Sequence, residues 1–153
     1  MLIRILILLN VPFVVSKLFK IKHLTSDLYI GKSGRYPKWL TLARANSFIE
    51  KPSKEKGKVI MKVTDLRNKV WNIEKNKKRL IYFPEHGRSN QIFEIQRSKH
   101  GWIKITNNDK CLTYIKNKKR FELRKCDDGK MTQVFLMADE EGKVMSDEDI
   151  DEM

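Results

Sequence analysis

The stretch NDKCLTYIKNKKRFELRKCDDGKMTQVFLM, residues 108–137, contains both cysteines of the 153-residue chain, Cys111 and Cys126. It contains two strand-like runs, KCLTYIK (110–116) and RFELRKC (120–126), and in the second run Phe121 and Leu123 alternate with Glu122 and Arg124. Alternation with a period of two is typical of strands with one buried face, so this stretch predicts a β-hairpin. An even number of cysteines at hairpin spacing favours a disulfide, and two free buried thiols are the alternative.

Similar short runs, most of five to seven residues, recur from residue 27 to residue 137 and are rich in β-branched and aromatic residues. Turn residues separate them, for example Gly31-Lys32-Ser33-Gly34 and Asp127-Asp128-Gly129. Regularly spaced short strands of this kind are typical of an all-β barrel or sandwich.

A degenerate repeat runs through these strands. The segment 38–74 parallels 110–137, because both read Lys-x-Leu-Thr, a second strand, a polar turn and x-Val-aromatic. NQIFEI (90–95) repeats only the last element, and Trp71 lies 22 positions before Phe93, whereas Phe135 lies 42 positions after it. Internal self-similarity of this length is a fold-level signal. We therefore predict three pseudo-repeats, with the middle one abbreviated.

The first 16 residues, MLIRILILLNVPFVVS, place Arg4 ahead of an apolar run. This pattern is typical of a secretory signal peptide, with a membrane anchor or a buried strand as alternatives. The run is too short to span a bilayer comfortably, which takes about 20 apolar residues. We predict a signal peptide over 1–16, a secreted domain over 17–138 with no membrane span, and an oxidising compartment that permits the disulfide.

Charge is distributed unevenly along the chain. Residues 17–138 contain 30 Lys and Arg against 11 Asp and Glu, whereas residues 139–153 contain eight acids and one Lys. A basic body favours anionic partners such as sulfated glycans, although an AT-rich genome also produces Lys without functional demand. We predict that the acidic tail, 139–153, is disordered, with folding back onto the basic body as the alternative.

Within the stretch that contains the cysteines, three short elements follow one another: Cys111-Leu112-Thr113-Tyr114, Leu123-Arg124-Lys125-Cys126 and Gln133-Val134-Phe135. This order resembles a repeat of the ricin B-type lectin domain, in which Cys-Leu-Asp-Val, Leu-Trp-x-Cys and Gln-x-Trp succeed one another. The resemblance is clear over 90–137 and fainter over 28–74. It implies a β-trefoil fold, a Cys111–Cys126 bridge that closes the first hairpin of a repeat, and carbohydrate binding.

The resemblance also assigns site positions. The sugar-binding Asp of the family falls on Thr113, its aromatic residue on Arg124 and the polar residue two positions earlier on Glu122. The Asn that precedes Gln falls on Thr132. In the first repeat Thr41 takes the Asp position and Lys69 the Gln position. The middle repeat keeps Asn90-Gln91 and lacks the hairpin that would supply the Asp and the aromatic residue. The carbohydrate-binding candidates implied by the resemblance are Asn90, Gln91, Thr113 and Gln133.

Basic residues crowd the cysteine hairpin in place of the family's polar groups. Such clusters suit sulfates or phosphates, which Arg binds bidentately, although exposed Lys is often only solvated. The anion-binding candidates are Lys116, Lys118, Lys119, Arg120, Arg124 and Lys125.

The sequence offers no starting point for catalysis. His23, His86 and His100 are far apart, no His/Cys/Asp spacing resembles a metal site, and no nucleophile, phosphate-loop or paired-carboxylate motif is present. We therefore predict a protein that is not an enzyme and needs no cofactor and no metal.

Three functions remain at this point. The first is a secreted lectin that binds glycans in surface adhesion or host interaction. The second is a charge-driven binder of sulfated polysaccharides or other polyanions, without specific nucleic-acid recognition. The third is a structural trefoil that contacts another extracellular protein, with its acidic tail as the contact.

Overall fold

The computed structural model describes residues 17–99 and 101–145. The predicted signal peptide, His100 and residues 146–153 lie outside the described residues. No helix in the described part of the chain is long and apolar enough to cross a membrane.

Twelve strands make up the described chain, and they fall into three consecutive groups of four. The first group is β1 (Lys20–Lys22), β2 (Tyr29–Ser33), β3 (Tyr36–Leu40) and β4 (Phe48–Pro52). The second is β5 (Val59–Val63), β6 (Lys69–Ile73), β7 (Leu80–Pro84) and β8 (Glu94–Arg97). The third is β9 (Trp102–Asn107), β10 (Lys110–Ile115), β11 (Arg120–Lys125) and β12 (Phe135–Ala138). We call these groups repeats 1, 2 and 3.

A closed six-stranded barrel is formed by the first and last strand of each repeat. Ladders join β4 to β5, β8 to β9, β9 to β12 and β12 to β1. Single bridges, Phe19 with Phe48 and Val59 with Phe93, complete the ring. Every barrel strand therefore has two neighbours, and closure of this kind removes unpaired sheet edges.

The two middle strands of each repeat form a hairpin, and the three hairpins lie against one another at one end of the barrel. The Leu123 amide donates to the Lys78 carbonyl at 2.9 Å, and the Tyr82 amide donates to the Arg35 carbonyl at 3.0 Å. Each hairpin is followed by a one-turn 3-10 helix, at Leu42–Arg44, Ser89–Gln91 and Met131–Gln133. A six-stranded barrel capped by three hairpins is a β-trefoil, as predicted.

The core repeats the threefold arrangement. Phe48, Phe93 and Phe135 are each at most 1 % exposed and each pair with the first strand of their own repeat. Ile30, Trp71 and Leu112 occupy equivalent core-facing positions on the three hairpins and are fully buried. Aromatic contacts link the layers, since the Trp71 ring lies edge-on to Phe48 and Phe93. One apolar core thus stabilises all three repeats.

The middle repeat is complete, so the predicted abbreviation was wrong. Residues 59–97 contain four strands, and Trp71 lies on β6 rather than at the end of a repeat. Phe48 is the true counterpart of Phe93, and their spacing of 45 positions matches the 42 from Phe93 to Phe135. Val-Trp in a buried strand imitates the x-Val-aromatic pattern because both positions need large apolar side chains.

Residues 139–145 fold back onto the trefoil, which is the alternative that the sequence left open for the acidic tail. The predicted disorder stays a prediction for residues 146–153, which lie outside the described residues. The Met145 amide donates to the Met137 carbonyl at 2.9 Å, and the Met145 side chain belongs to the core. Glu140 accepts a hydrogen bond from Ser47 and pairs with Lys20 at 3.1 Å. Folding back stabilises residues 139–145 because the Met145 side chain joins the shared core and the Glu140 carboxylate finds partners on repeat 1.

Candidate functional site

Strand register aligns the three hairpins residue by residue. Leu112 pairs with Leu123 on the core face of repeat 3, as Trp71 pairs with Tyr82 in repeat 2 and Ile30 with Trp39 in repeat 1. The next residue on each second strand lies on the opposite face of the hairpin. The equivalents of the sugar-binding Asp position are therefore Gly31, Asn72 and Thr113, and all three are buried. The equivalents of the aromatic position are Leu40, Phe83 and Arg124.

Two buried glutamines show that this alignment holds in three dimensions. In repeat 2, Gln91 Nε2 donates to Asn72 Oδ1 at 2.9 Å and to the Pro84 carbonyl at 3.0 Å. In repeat 3, Gln133 Nε2 donates to Thr113 Oγ1 at 3.0 Å and to the Lys125 carbonyl at 2.9 Å. Each glutamine ties the second strand, the third strand and the following loop together, so its role is structural first.

Repeat 2 brings together a polar pair beside an exposed ring. Asn72 Oδ1 also accepts a hydrogen bond from Asn90 Nδ2 at 3.2 Å, and Asn90 Nδ2 donates to the Ile73 carbonyl at 3.1 Å. Within residues 17–99 and 101–145, Asn72 Nδ2 and Asn90 Oδ1 make no hydrogen bond, and neither atom is fully buried. One donor and one acceptor thus remain for a ligand, which suits a pair of sugar hydroxyls.

Phe83 lies on the same outer face of the hairpin as Asn72, at the aromatic position. Its side chain is 38 % exposed, which is high for a large apolar residue with an ordered backbone. The His86 ring lies edge-on to it, with centroids 6.1 Å apart. An exposed ring on the same strand face as an amide side chain has the composition of a carbohydrate site, where the ring covers the C–H face of the sugar. We use the name repeat-2 pocket for this set of residues: Asn72, Phe83, Asn90 and Gln91.

The loop beside Phe83 is fixed by Gln91. Its Oε1 accepts hydrogen bonds from the His86 amide at 2.8 Å and the Gly87 amide at 3.0 Å. His86 Nδ1 accepts from the Arg88 amide at 3.0 Å, so the ring is held in one tautomer. Burial and then the positive charges of Arg88 and Lys75 lower the pKa of His86 from its ordinary value.

In repeat 3 charged side chains fill the corresponding place. Glu122 is only 2 % exposed and accepts hydrogen bonds from Arg120 Nε at 2.8 Å and from Arg124. Lys118 Nζ lies 3.8 Å from the same carboxylate. Thr113 is buried and donates its hydroxyl proton to the Cys111 carbonyl, so the predicted sugar position has no donor left.

The basic cluster predicted on this hairpin is partly neutralised. Lys118, Arg120 and Arg124 share the Glu122 carboxylate, and Lys116 lies in a different cleft, beside His23 and Tyr114. Lys119 and Lys125 are exposed. The sequence patterns indicated the charge but not the buried carboxylate that organises it.

The disulfide belongs to the same hairpin. Cys111 and Cys126 are bonded, as predicted, and their Cα atoms are 5.0 Å apart. The bond joins the start of β10 to the residue after β11. Repeat 2 has Val70 and Glu85 at these positions, so its hairpin is held by the β6–β7 ladder, by Gln91 and by packing, and Glu85 pairs with Lys51 of β4.

Repeat 1 has no room for a ligand at its equivalent site. Gly31 takes the Asp position, and a Cβ there would lie 2.4 Å from the Arg44 carbonyl oxygen. The predicted site positions Thr41 and Lys69 are wrong, because Thr41 lies between β3 and the 3-10 turn and Lys69 begins β6. Both errors follow from the misplaced first repeat.

Asn72 and Phe83 were missed in the sequence although a signal for them exists. KVWNI (69–73) aligns with KCLTY (110–114) when Lys69 is set against Lys110, and Asn72 then falls on Thr113. The same alignment sets Tyr82-Phe83 against Leu123-Arg124.

No group of three or more His, Cys, Asp or Glu residues in the described ranges is arranged to hold a metal ion.

No protein-family model matches the sequence, and no curated protein matches it. Solved structures do match at the level of fold. A mosquitocidal holotoxin superposes with a TM-score of 0.67 at 13 % identity, over 82 % of this chain and 17 % of that one. A β-1,3-galactosidase of glycoside hydrolase family 43 gives 0.70 at 15 % identity, over 90 % of this chain and 32 % of that one. This chain therefore spans a third or less of each of these two proteins.

Two smaller trefoils complete the comparison. The designed threefold-symmetric protein ThreeFoil matches with a TM-score of 0.65 at 12 % identity, over 80 % of this chain and 98 % of its own. A Polyporus squamosus lectin, solved with a sialylated influenza-binding epitope, gives 0.63 at 11 % identity, over 82 % of this chain and 50 % of the lectin. Identities this low establish the β-trefoil fold alone.

Proposed function

We propose that this chain is a secreted, non-catalytic carbohydrate-binding module of the ricin B type, acting in surface adhesion or host interaction. The observation that carries the proposal is the arrangement in repeat 2, where the exposed Phe83 ring shares a face of the hairpin with Asn72, whose side chain accepts a hydrogen bond from Asn90. Neighbours that include a lectin and glycan-active proteins support the same class of ligand.

The site belongs to one repeat. Repeat 1 is closed by the Arg44 carbonyl and repeat 3 by the Glu122 ion pairs, so a single sugar per chain is expected. An open site of this size binds weakly on its own, because one stacked ring and two or three hydrogen bonds leave little surplus after the cost of association. Adhesion would then depend on several copies acting together.

A glycan array probed with the full secreted chain tests the proposal. Phe83→Ala removes the stacking surface from an exposed position and is expected to lower binding at least tenfold, with a thermal midpoint close to that of the wild type. Arg124→Ala is the matched control, since it changes the equivalent position of repeat 3 and should leave glycan binding intact. An absence of binding to every glycan by the wild-type chain, presented multivalently, would contradict the proposal.

A further inference from the structure

A basic cleft lies between repeats 2 and 3. It borders the cysteine hairpin through Lys110 and Leu123, but none of the six anion-binding candidates predicted on that hairpin lines it. It is a cavity of about 330 Å³ with polar side chains on both walls. Repeat 2 contributes Ser89 and Asn90, and repeat 3 contributes Asn107 and Asn108. Four lysines line it together with one acid: Lys58, Lys75, Lys78, Lys110 and Glu55.

The positive charge of the cleft is largely unpaired. Lys58 lies 3.7 Å from Glu55, and both residues line the cleft. Lys75, Lys78 and Lys110 have no acidic partner within 4.0 Å among residues 17–99 and 101–145. Three like charges around one cavity repel one another, and a bound anion would relieve that repulsion.

The backbone holds these lysines in place. Lys78 has a left-handed backbone with φ of 55°, its amide donates to the Glu74 carbonyl at 2.9 Å, and its own carbonyl accepts from Leu123. Lys110 begins β10 and pairs with Asn107 and Lys125. The cations are therefore carried by fixed positions on two repeats, which lowers the entropy cost of bringing them around one ligand.

Pseudo-threefold symmetry provides an internal comparison. The equivalent cleft between repeats 3 and 1 is a cavity of about 220 Å³ with Trp39 in the place of Leu123 and Tyr114 in the place of Ile73. It contains one lysine, Lys116, against four in the basic cleft. The accumulation of lysine is thus particular to the junction of repeats 2 and 3 and does not follow from the fold.

Asn90 connects the basic cleft to the repeat-2 pocket. It lines the cleft, and its Nδ2 also donates to Asn72 Oδ1 in the pocket. On the basis of the proposed function, we propose that the basic cleft binds the sulfate group of a sulfated saccharide whose neutral ring stacks on Phe83. Lysine ammonium groups bind sulfate oxygens as point charges, and the Asn90 amide marks the boundary between the two parts of the ligand.

Two triple variants of the full chain test the inference. Lys75→Gln/Lys78→Gln/Lys110→Gln removes three charges from the cleft. Lys116→Gln/Lys119→Gln/Lys125→Gln removes three charges from the neighbouring hairpin. Lys116 and Lys119 are the repeat-3 equivalents of Lys75 and Lys78. Lys78 and Lys119 also share a left-handed backbone, with φ of 55° and 52°. Both variants carry the same net charge, so an effect of net charge alone would lower the binding of sulfate and sulfated glycans equally in the two.

The probes are inorganic sulfate followed by NMR, and an array of glycans in sulfated, phosphorylated and unmodified forms. Sulfate is expected to shift the backbone amides of Lys75, Asn90 and Lys110 more than chloride at equal ionic strength does. Sulfated glycans are expected to bind at least tenfold more tightly than their unmodified forms, and the cleft variant, unlike the hairpin variant, should abolish that difference.

Phe83→Ala separates the two proposals, since it should abolish glycan binding and leave the inorganic sulfate shifts unchanged. Equal losses in the two triple variants, or sulfate shifts no larger than those of chloride, would overturn the sulfate site. A preference for phosphorylated over sulfated glycans would overturn the assignment to a sulfated saccharide. Equal binding of unmodified and sulfated glycans would refute the inference and leave the repeat-2 pocket standing.

Discussion

Repeats 2 and 3 have the same four-strand topology but carry different side chains at the equivalent positions of their hairpins. Repeat 3 keeps the family-like cysteines and Gln133, yet its outward positions hold Thr113, the buried Glu122 and Arg124. Repeat 2 has no cysteine, yet it presents Asn72 and an exposed Phe83. The cysteines and Gln133, which make repeat 3 recognisable in the sequence, stabilise its hairpin. The residues that we propose to bind a ligand, Asn72 and Phe83, vary independently of them.

The largest expected effect comes from the buried glutamines. Gln91→Ala removes four hydrogen bonds from a fully buried side chain, and Gln133→Ala removes three. At about 1 kcal/mol for each bond, the free energy of unfolding should fall by about 4 and about 3 kcal/mol. Urea denaturation measures both values. A smaller loss for Gln91→Ala than for Gln133→Ala would break the comparison, because repeat 2 has no covalent bond to hold its hairpin.

The disulfide is expected to matter slightly less. Replacing Cys111 and Cys126 by Ser frees a loop of 15 residues, for which chain entropy predicts a loss of about 3 kcal/mol. Because the repeat-2 pocket lies on a different hairpin, glycan binding by the folded variant should not change. Denaturation and array binding on the same preparation test this. A loss of binding at temperatures where the variant is fully folded would show that the two repeats are coupled.

Conversion of repeat 3 into repeat 2 tests the comparison by gain of function. The variant Thr113→Asn/Glu122→Ile/Arg124→Phe/Thr132→Asn copies the four differing positions from repeat 2. We expect a second site and a gain of at least tenfold in binding to a multivalent glycan surface, about 1.4 kcal/mol. Titration calorimetry should give a stoichiometry of two sugars per chain. A stoichiometry that stays at one would mean that repeat 2 contributes something beyond these side chains.

The smallest expected effect is the pH dependence of stability that His86 contributes in repeat 2. His86 has a pKa below its ordinary 6.5 in the folded chain, so the unfolded chain binds more protons around that pH. This contribution to stability is present above pH 6.5 and is lost as the pH falls below it. Repeat 3 has Asp127 at the equivalent position. His86→Gln should therefore weaken the drop in thermal midpoint between pH 7.5 and pH 5, and an unchanged drop would assign it to other groups such as His23.

Local patterns in the sequence predicted an all-β fold, because strand alternation and turn residues depend on neighbouring positions. The trefoil came from the resemblance of 111–135 to a ricin B-type repeat, and the number and spacing of the cysteines favoured the bridge. The sequence misplaced repeat 1 because Lys38–Leu40 and Lys110–Leu112 both read Lys-x-Leu on strands that occupy different places in their repeats. The buried Glu122 was read as a degenerate sugar residue, since sequence does not show which side chains share a carboxylate. Asn72 could have been found by setting Lys69 against Lys110, but only the register between strands shows that this alignment is the right one.

The central claim is that a sugar binds in repeat 2 and not in repeat 3. An NMR titration of the full chain with the glycan that binds best on the array tests it most directly. We expect the amide and side-chain signals of Asn72, Phe83 and Asn90 to shift together, while the chemical shifts of Thr113 and Arg124 do not change. Shifts centred on Thr113, Arg124 and Thr132 instead would contradict the assignment of the site.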